Sequence, residues 1–197
     1  MNIAAQPHVQ ADQTIYLKDY QKPSFLVESI NLNIQVYDDH TIVDSTLVMK
    51  RQTAGELVLL GRDLELKSVQ LNGQTLSAEQ YHLDTEQLVI TDAPDEVIVQ
   101  TQVIIHPESN TQLEGLYKAG DLFVTQNEPE GFRKITFYPD RPDVLAEFTT
   151  RVEADKKYPI LLANGNLLET GEAGEGRHFA IWQDPTKKPS YLFACVI

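Results

Sequence analysis

"SINLNIQVY", residues 29–37, is the stretch from which the fold is read. Ile30, Leu32, Ile34 and Val36 alternate with Asn31, Asn33 and Gln35. A period of two is what a strand with one buried face requires, because successive side chains point to opposite sides. Outward from it the pattern repeats. "DDH" makes a turn, and "TIVDSTLVMK" returns as a second run. "SVQLNGQTL" carries Asn72-Gly73 between two short runs, a strong local hairpin signal. "EVIVQTQVII" places Val97, Val99, Thr101, Val103 and Ile105 on one face. Further strands are predicted at "QLVIT", "LFVTQ", "RKITFY", "AEFTTRVEA", "PILLA", "HFAIWQ" and "YLFACVI". The segments "PES", "KAGD", "NGN", "GEAGEG" and "DPTKKP" punctuate them as turns.

No stretch keeps a helical period over three turns, and 107–120 has room for one short helical turn at most. Many short strands with frequent turns imply an all-β, mainly antiparallel β-sandwich built as a single domain. Residues 1–24 are polar and aperiodic and read as an N-terminal arm, with the β domain over 25–197.

The totals narrow the function. Of 197 residues, 42% are apolar and 23% charged, which is enough apolar content for a core. A formal charge of −13 repels phosphate backbones, so nucleic acid is not an expected partner. No run approaches the length of a membrane span, and the N-terminus lacks the basic and apolar regions of a signal peptide, so a cytoplasmic location is expected. The single cysteine, Cys195, lies in the apolar run "SYLFACVI" and reads as a buried, unreactive thiol. That run is apolar on both faces, as in a strand covered on both sides. Its position at the end of the chain leads us to expect a segment of a longer protein.

Catalytic chemistry has little local support. The five histidines stand apart, and no HExxH or paired-cysteine spacing offers a zinc site. "GEAGEG" is acidic and lacks the lysine of a phosphate loop. One stretch stands out, "TQNEPEGFRKITFYPDRPD", residues 125–143, crowded with acids, arginines and prolines. Glu128 or Glu130 with Asp140 or Asp143 could form a glycosidase-like carboxylate pair. Alternatively, Gln126 and Glu128, two apart on an extended chain, face one side and present an amide and a carboxylate to a cationic ligand. Arg133 and Arg141 could instead neutralise these acids internally.

The motifs TQxExxxxR (from Thr125) and PDRPDVxAxF (from Pro139), together with "YPILLANGN" and "WQDPTKKPSYLFACV", resemble the N-terminal domain of the bacterial aminopeptidase N group of gluzincin metallo-aminopeptidases. The likeness is dense over 113–197 and looser before it. It implies a saddle-like β domain packed on a catalytic domain that carries zinc, HExxH and GxMEN. This chain has neither motif, so it is expected to hold no catalytic residue, cofactor or metal of its own, and to be inactive alone. The implied partners are that catalytic domain and peptide N-termini. By the same likeness Glu128 binds the substrate α-amine, Gln126 walls the first side-chain pocket, and the Glu128–Pro129 bond is cis. Arg133, Asp140, Arg141 and Asp143 are expected to be structural scaffold. A free-standing β-sandwich binding module is the alternative.

Overall fold

The structure is a computed structural model that describes residues 16–197. Most of the expected arm, residues 1–15, lies outside the described residues. Fifteen strands form three sheets. The largest has eight strands in the order β13 (Asn166–Gly174), β14 (Arg177–Pro189), β11 (Leu145–Asp155), β1 (Phe25–Val36), β2 (Thr41–Arg51), β8 (Glu96–Ile105), β4 (Glu65–Leu71) and β5 (Gln74–Thr75). A four-stranded sheet runs β12 (Leu162–Ala163), β15 (Cys195–Val196), β10 (Leu122–Gln126) and β9 (Gly115–Ala119). The third sheet is β3 (Leu57–Leu60), β7 (Gln87–Ile90) and β6 (Tyr81–Leu83). Pairing is antiparallel except between β1 and β11, which run parallel. The all-β, mainly antiparallel expectation holds.

The buried face of the large sheet is made of rows across four strands. Val99, Leu47, Ile30 and Phe148 form one, and Val103, Val43, Ile34 and Val152 another. β1 buries Phe25 and Val27, then Ile30, Leu32, Ile34 and Val36. The change from odd to even positions is absorbed by a register shift between Val27 and Ser29, a bulge that keeps all six on one side. The polar alternates meet on the other face. Asn33 and Gln35 donate to Asp44 at 3.0 and 3.2 Å, and Gln102 donates to the same carboxylate at 2.8 Å. The hairpin predicted at Asn72-Gly73 joins β4 and β5, with φ of 51° and 79° at the two turn residues.

Four predictions require correction. "RKITFY" is not a strand. Phe132–Lys134 forms a 3-10 turn, and all ten residues of 131–140 are buried, so the segment has no solvent face to alternate with. "YLFACVI" begins as a 3-10 turn at Ser190–Leu192 and pairs only from Cys195 onward. Phe193, Cys195 and Ile197 are buried while Leu192 and Ala194 are exposed, so the described residues cover one face of it and not two. "GEAGEG" is not all turn, because Gly171–Gly174 belongs to the exposed edge strand β13. "DPTKKP" is not a turn, because residues 184–189 are the last part of β14. β3, β6, β9 and β13 were not foreseen.

The 127–140 segment is where the sheets meet. The Phe132 ring makes edge-on contacts with Phe148 of β11, Phe193 beside β15 and Tyr138, at centroid distances of 5.9, 5.2 and 5.1 Å. Tyr138 in turn exchanges both backbone hydrogen bonds with Leu60 of β3, at 2.8 and 3.0 Å. One side chain therefore couples all three sheets.

Phe132→Ala is expected to lower unfolding stability by about 3–5 kcal/mol, read from urea transitions. Cys195 is buried, and burial pushes its thiol up to about 12. Iodoacetamide at pH 8 should leave Cys195 unlabelled in the native protein and modify it in denaturant, as followed by mass spectrometry.

Candidate functional site

β10 ends at Gln126, Asn127 follows it, and the chain turns at 128–131, so Glu128 opens the turn and does not continue the strand. Gln126 and Glu128 are exposed, and Asn127 between them is buried. The Glu128–Pro129 peptide is cis. The Gly131 N–H donates to Asn127 O at 2.9 Å, closing the turn. A Cβ at Gly131 would collide with Gln126 O and Asn127 Cα, so glycine is required there by close approach. The Gln126 amide reaches back to Glu128 O at 3.4 Å.

The four expected scaffold residues form two separate ion pairs. Arg133 Nε and the Arg133 backbone N–H both donate to Asp140 Oδ2 at 3.1 Å, and the guanidinium also reaches Asp140 O at 3.1 Å. Ser190 Oγ donates to the other carboxylate oxygen at 2.5 Å. Asp140 is thus fully engaged and 3% exposed. Nearby, burial and the Asp140 charge raise the Tyr138 hydroxyl far above its ordinary value. Arg141 and Asp143 form the second, bidentate pair at 2.7 and 2.8 Å, nearer the surface. Tyr20 and Gln21, from the segment read as an arm, bond to Asp143 Oδ2 and from Arg141, each at 2.8 Å. The Arg141 guanidinium is the main cause that holds the Asp143 carboxyl below the usual carboxylate range.

These pairs decide between the readings of the acidic stretch. Arg133 serves Asp140 and, at 3.4 Å, Glu130, while Arg141 serves Asp143. Neither neutralises Glu128, whose carboxylate has no ion-pair partner among the described residues. A glycosidase-like pair using Asp140 is excluded by its burial against Arg133. Among the described residues no group of three His, Cys, Asp or Glu could hold a metal ion. What remains at the surface is an unpaired carboxylate next to the Gln126 amide, a receptor for an ammonium with a polar neighbour.

Sequence reasoning missed three participants. Asn127 was given no role, yet its amide donates to Phe193 O at 2.7 Å. Lys134 looked like a strand lysine, but its ammonium is buried against Asp63 at 3.1 Å, Glu114 at 3.5 Å and Gln112. Ser190 holds Asp140. For Lys134 the signal available was the absence of any alternation across 131–140.

A shallow apolar groove of about 440 Å³ lies elsewhere, between β12, β13 and β14, lined by Ile160, Leu162, Leu167, Phe179 and Trp182 among others. Ile160 and Leu167 are exposed by 60% and 50%.

Residues 19–192 match the family described as the Peptidase M1 N-terminal domain. The chain is 46% identical over 187 residues to an aminopeptidase N of Caulobacter vibrioides, covering 93% of this chain and 22% of that protein. It is 44% identical over 190 residues to aminopeptidase N of Escherichia coli K12, covering 95% and 22%. It therefore spans 22% of the length of these curated relatives. Among solved structures, Legionella pneumophila aminopeptidase A in complex with aspartic acid superposes with a TM-score of 0.87 at 32% identity, over 91% of this chain and 22% of that one. An M1 zinc metallopeptidase of Deinococcus radiodurans shares the fold, with a TM-score of 0.78 at 20% identity, over 89% and 42%.

The lowered Asp143 carboxyl makes a pH-dependent contribution to folding. Its stabilisation is present above the unfolded carboxylate value, about 3.9, and fades as pH falls through the lower folded value. Arg141→Met should lower stability at pH 7 by at most about 1 kcal/mol, because the pair is part-exposed. Denaturant titrations should show the difference from wild type at pH 7 and a smaller one as the pH is lowered below the unfolded carboxylate value.

Proposed function

Since the chain belongs to the Peptidase M1 N-terminal domain family, we propose that it serves as the non-zinc, substrate-reading domain of a zinc-dependent aminopeptidase that removes N-terminal residues from peptides. Residues 1–24 lead into a β domain over 25–197, and the location is cytoplasmic. The observation that carries the reading is Glu128, the one acid of its loop left exposed and unpaired while Glu130, Asp140 and Asp143 each hold an arginine.

An exopeptidase must distinguish a free chain end from an internal peptide. The chemical difference is an ammonium group, and a pre-placed carboxylate recognises it through charge-assisted hydrogen bonds. Glu128 takes that role. Gln126, exposed two residues before it, walls the pocket for the first side chain. Both stand on open surface, so the pocket needs a second wall from the rest of the enzyme. Closing it removes water and strengthens the ammonium–carboxylate contact.

Among the described residues no group of three His, Cys, Asp or Glu could hold a metal ion, and we assign the zinc to the catalytic part of the enzyme. The relatives' names support that assignment, since they are aminopeptidases and an M1 zinc metallopeptidase. The exposed groove at Ile160, Leu162 and Leu167 is the kind of apolar surface that a larger protein covers.

In the complete enzyme, Glu128→Gln should lower kcat/KM on amine-terminated peptides roughly ten- to hundredfold, with zinc content unchanged. Steady-state kinetics alongside metal analysis tests this. An unaltered kcat/KM would overturn the amine-binding role.

A further inference from the structure

The buried residue between the two proposed contacts has no part in that reading. We propose that Asn127 is a positioning residue for Glu128, acting by clamping the loop to the C-terminal segment through its side-chain amide. The inference rests on Glu128 as the amine-binding group.

Its geometry has three parts. Where β10 passes into the turn, Gln126 and Glu128 are exposed and Asn127 is buried, 2% accessible. Asn127 Nδ2 donates to Phe193 O at 2.7 Å. Its own carbonyl accepts the Gly131 N–H, so the residue is held from the side chain and from the backbone at once. The contact is also the last rung of a ladder between β10 and the C-terminal segment. Phe123 and Ile197 exchange two backbone hydrogen bonds at 2.8 and 2.9 Å. Val124 pairs with Val196, and Cys195 N–H donates to Thr125 Oγ1 at 2.9 Å. Asn127 extends this grip by two residues beyond Thr125, to the immediate neighbour of Glu128.

The amide is not there for packing alone. Asn127 Oδ1 is buried with no hydrogen-bond partner among the described residues, a cost that a leucine of similar size would avoid. What asparagine adds over leucine is the single bond to Phe193 O. That bond fixes the backbone from which the Glu128 carboxylate projects, and a displacement of the order of an ångström there is felt in catalysis.

The test uses the complete zinc-loaded enzyme, an alanine anilide as substrate and acetohydroxamate, which has no amine, as inhibitor. Asn127→Leu should lower kcat/KM for the anilide about tenfold while leaving zinc content and the acetohydroxamate Ki unchanged. In a Glu128→Ala background the same substitution should cost less than about twofold, because the group it positions is gone. If Asn127→Leu does not fold, Asn127→Ser, too short to reach Phe193 O, replaces it in both backgrounds. An unchanged kcat/KM, a matching loss of acetohydroxamate binding, or an equal loss in the Glu128→Ala background each overturns the positioning role. If Glu128→Ala alone has no effect, the amine-binding reading itself fails and the proposal with it.

Discussion

The carboxylate of Asp140, buried against Arg133 and Ser190, is the constraint on which the arrangement depends. Exchanging such a pair for well-packed apolar groups is often neutral or stabilising, whereas removing one partner strands a charge at a cost of about 3–5 kcal/mol. Its value is therefore geometric. Asp140 binds both the backbone and the guanidinium of Arg133, so the turn at Phe132–Lys134 has one permitted conformation. That conformation sends the Phe132 ring into the contact between sheets, while Gln126 and Glu128 stay exposed on either side of buried Asn127. The interior of the loop and its exposed tip are set by the same bonds.

Much of the fold was legible because sheets with one covered face write a period of two into the chain. β1, β2 and β8 each alternate, and their buried residues lie opposite one another in register. Where the physical premise failed, so did the reading. The edge strand β13 buries almost nothing, and its glycines and glutamates carry no alternation to detect. β9 is five residues long with little exposed polar contrast. In 131–140 everything is buried, including Arg133, which is satisfied within the loop, and Lys134, whose partners are distant in sequence, and no periodicity marks that kind of segment.

The site was legible in a different way. Spacing alone could say that Gln126 and Glu128 share a side, but not whether the two arginines would consume the acids. Only the pairing of Arg133 with Asp140 and of Arg141 with Asp143 separates the occupied carboxylates from the free one. Asn127 escaped notice because its partner, Phe193 O, is a backbone atom far along the chain. Contacts of that type leave no signature in residue order.

The parallel pairing of β1 with β11 bears on how the chain acquires its structure. Asn33 and Arg151, bonded across this pair, are 118 residues apart. During synthesis β1 can zip onto β2 at once through a short turn, but its other edge stays open until the chain has grown past β11. For that interval a long, largely apolar strand offers unpaired N–H and C=O groups to any neighbouring chain. The slow step of assembly and the period of greatest exposure to misassociation are thus placed together at the centre of the largest sheet, in the nascent polypeptide and not in the finished domain.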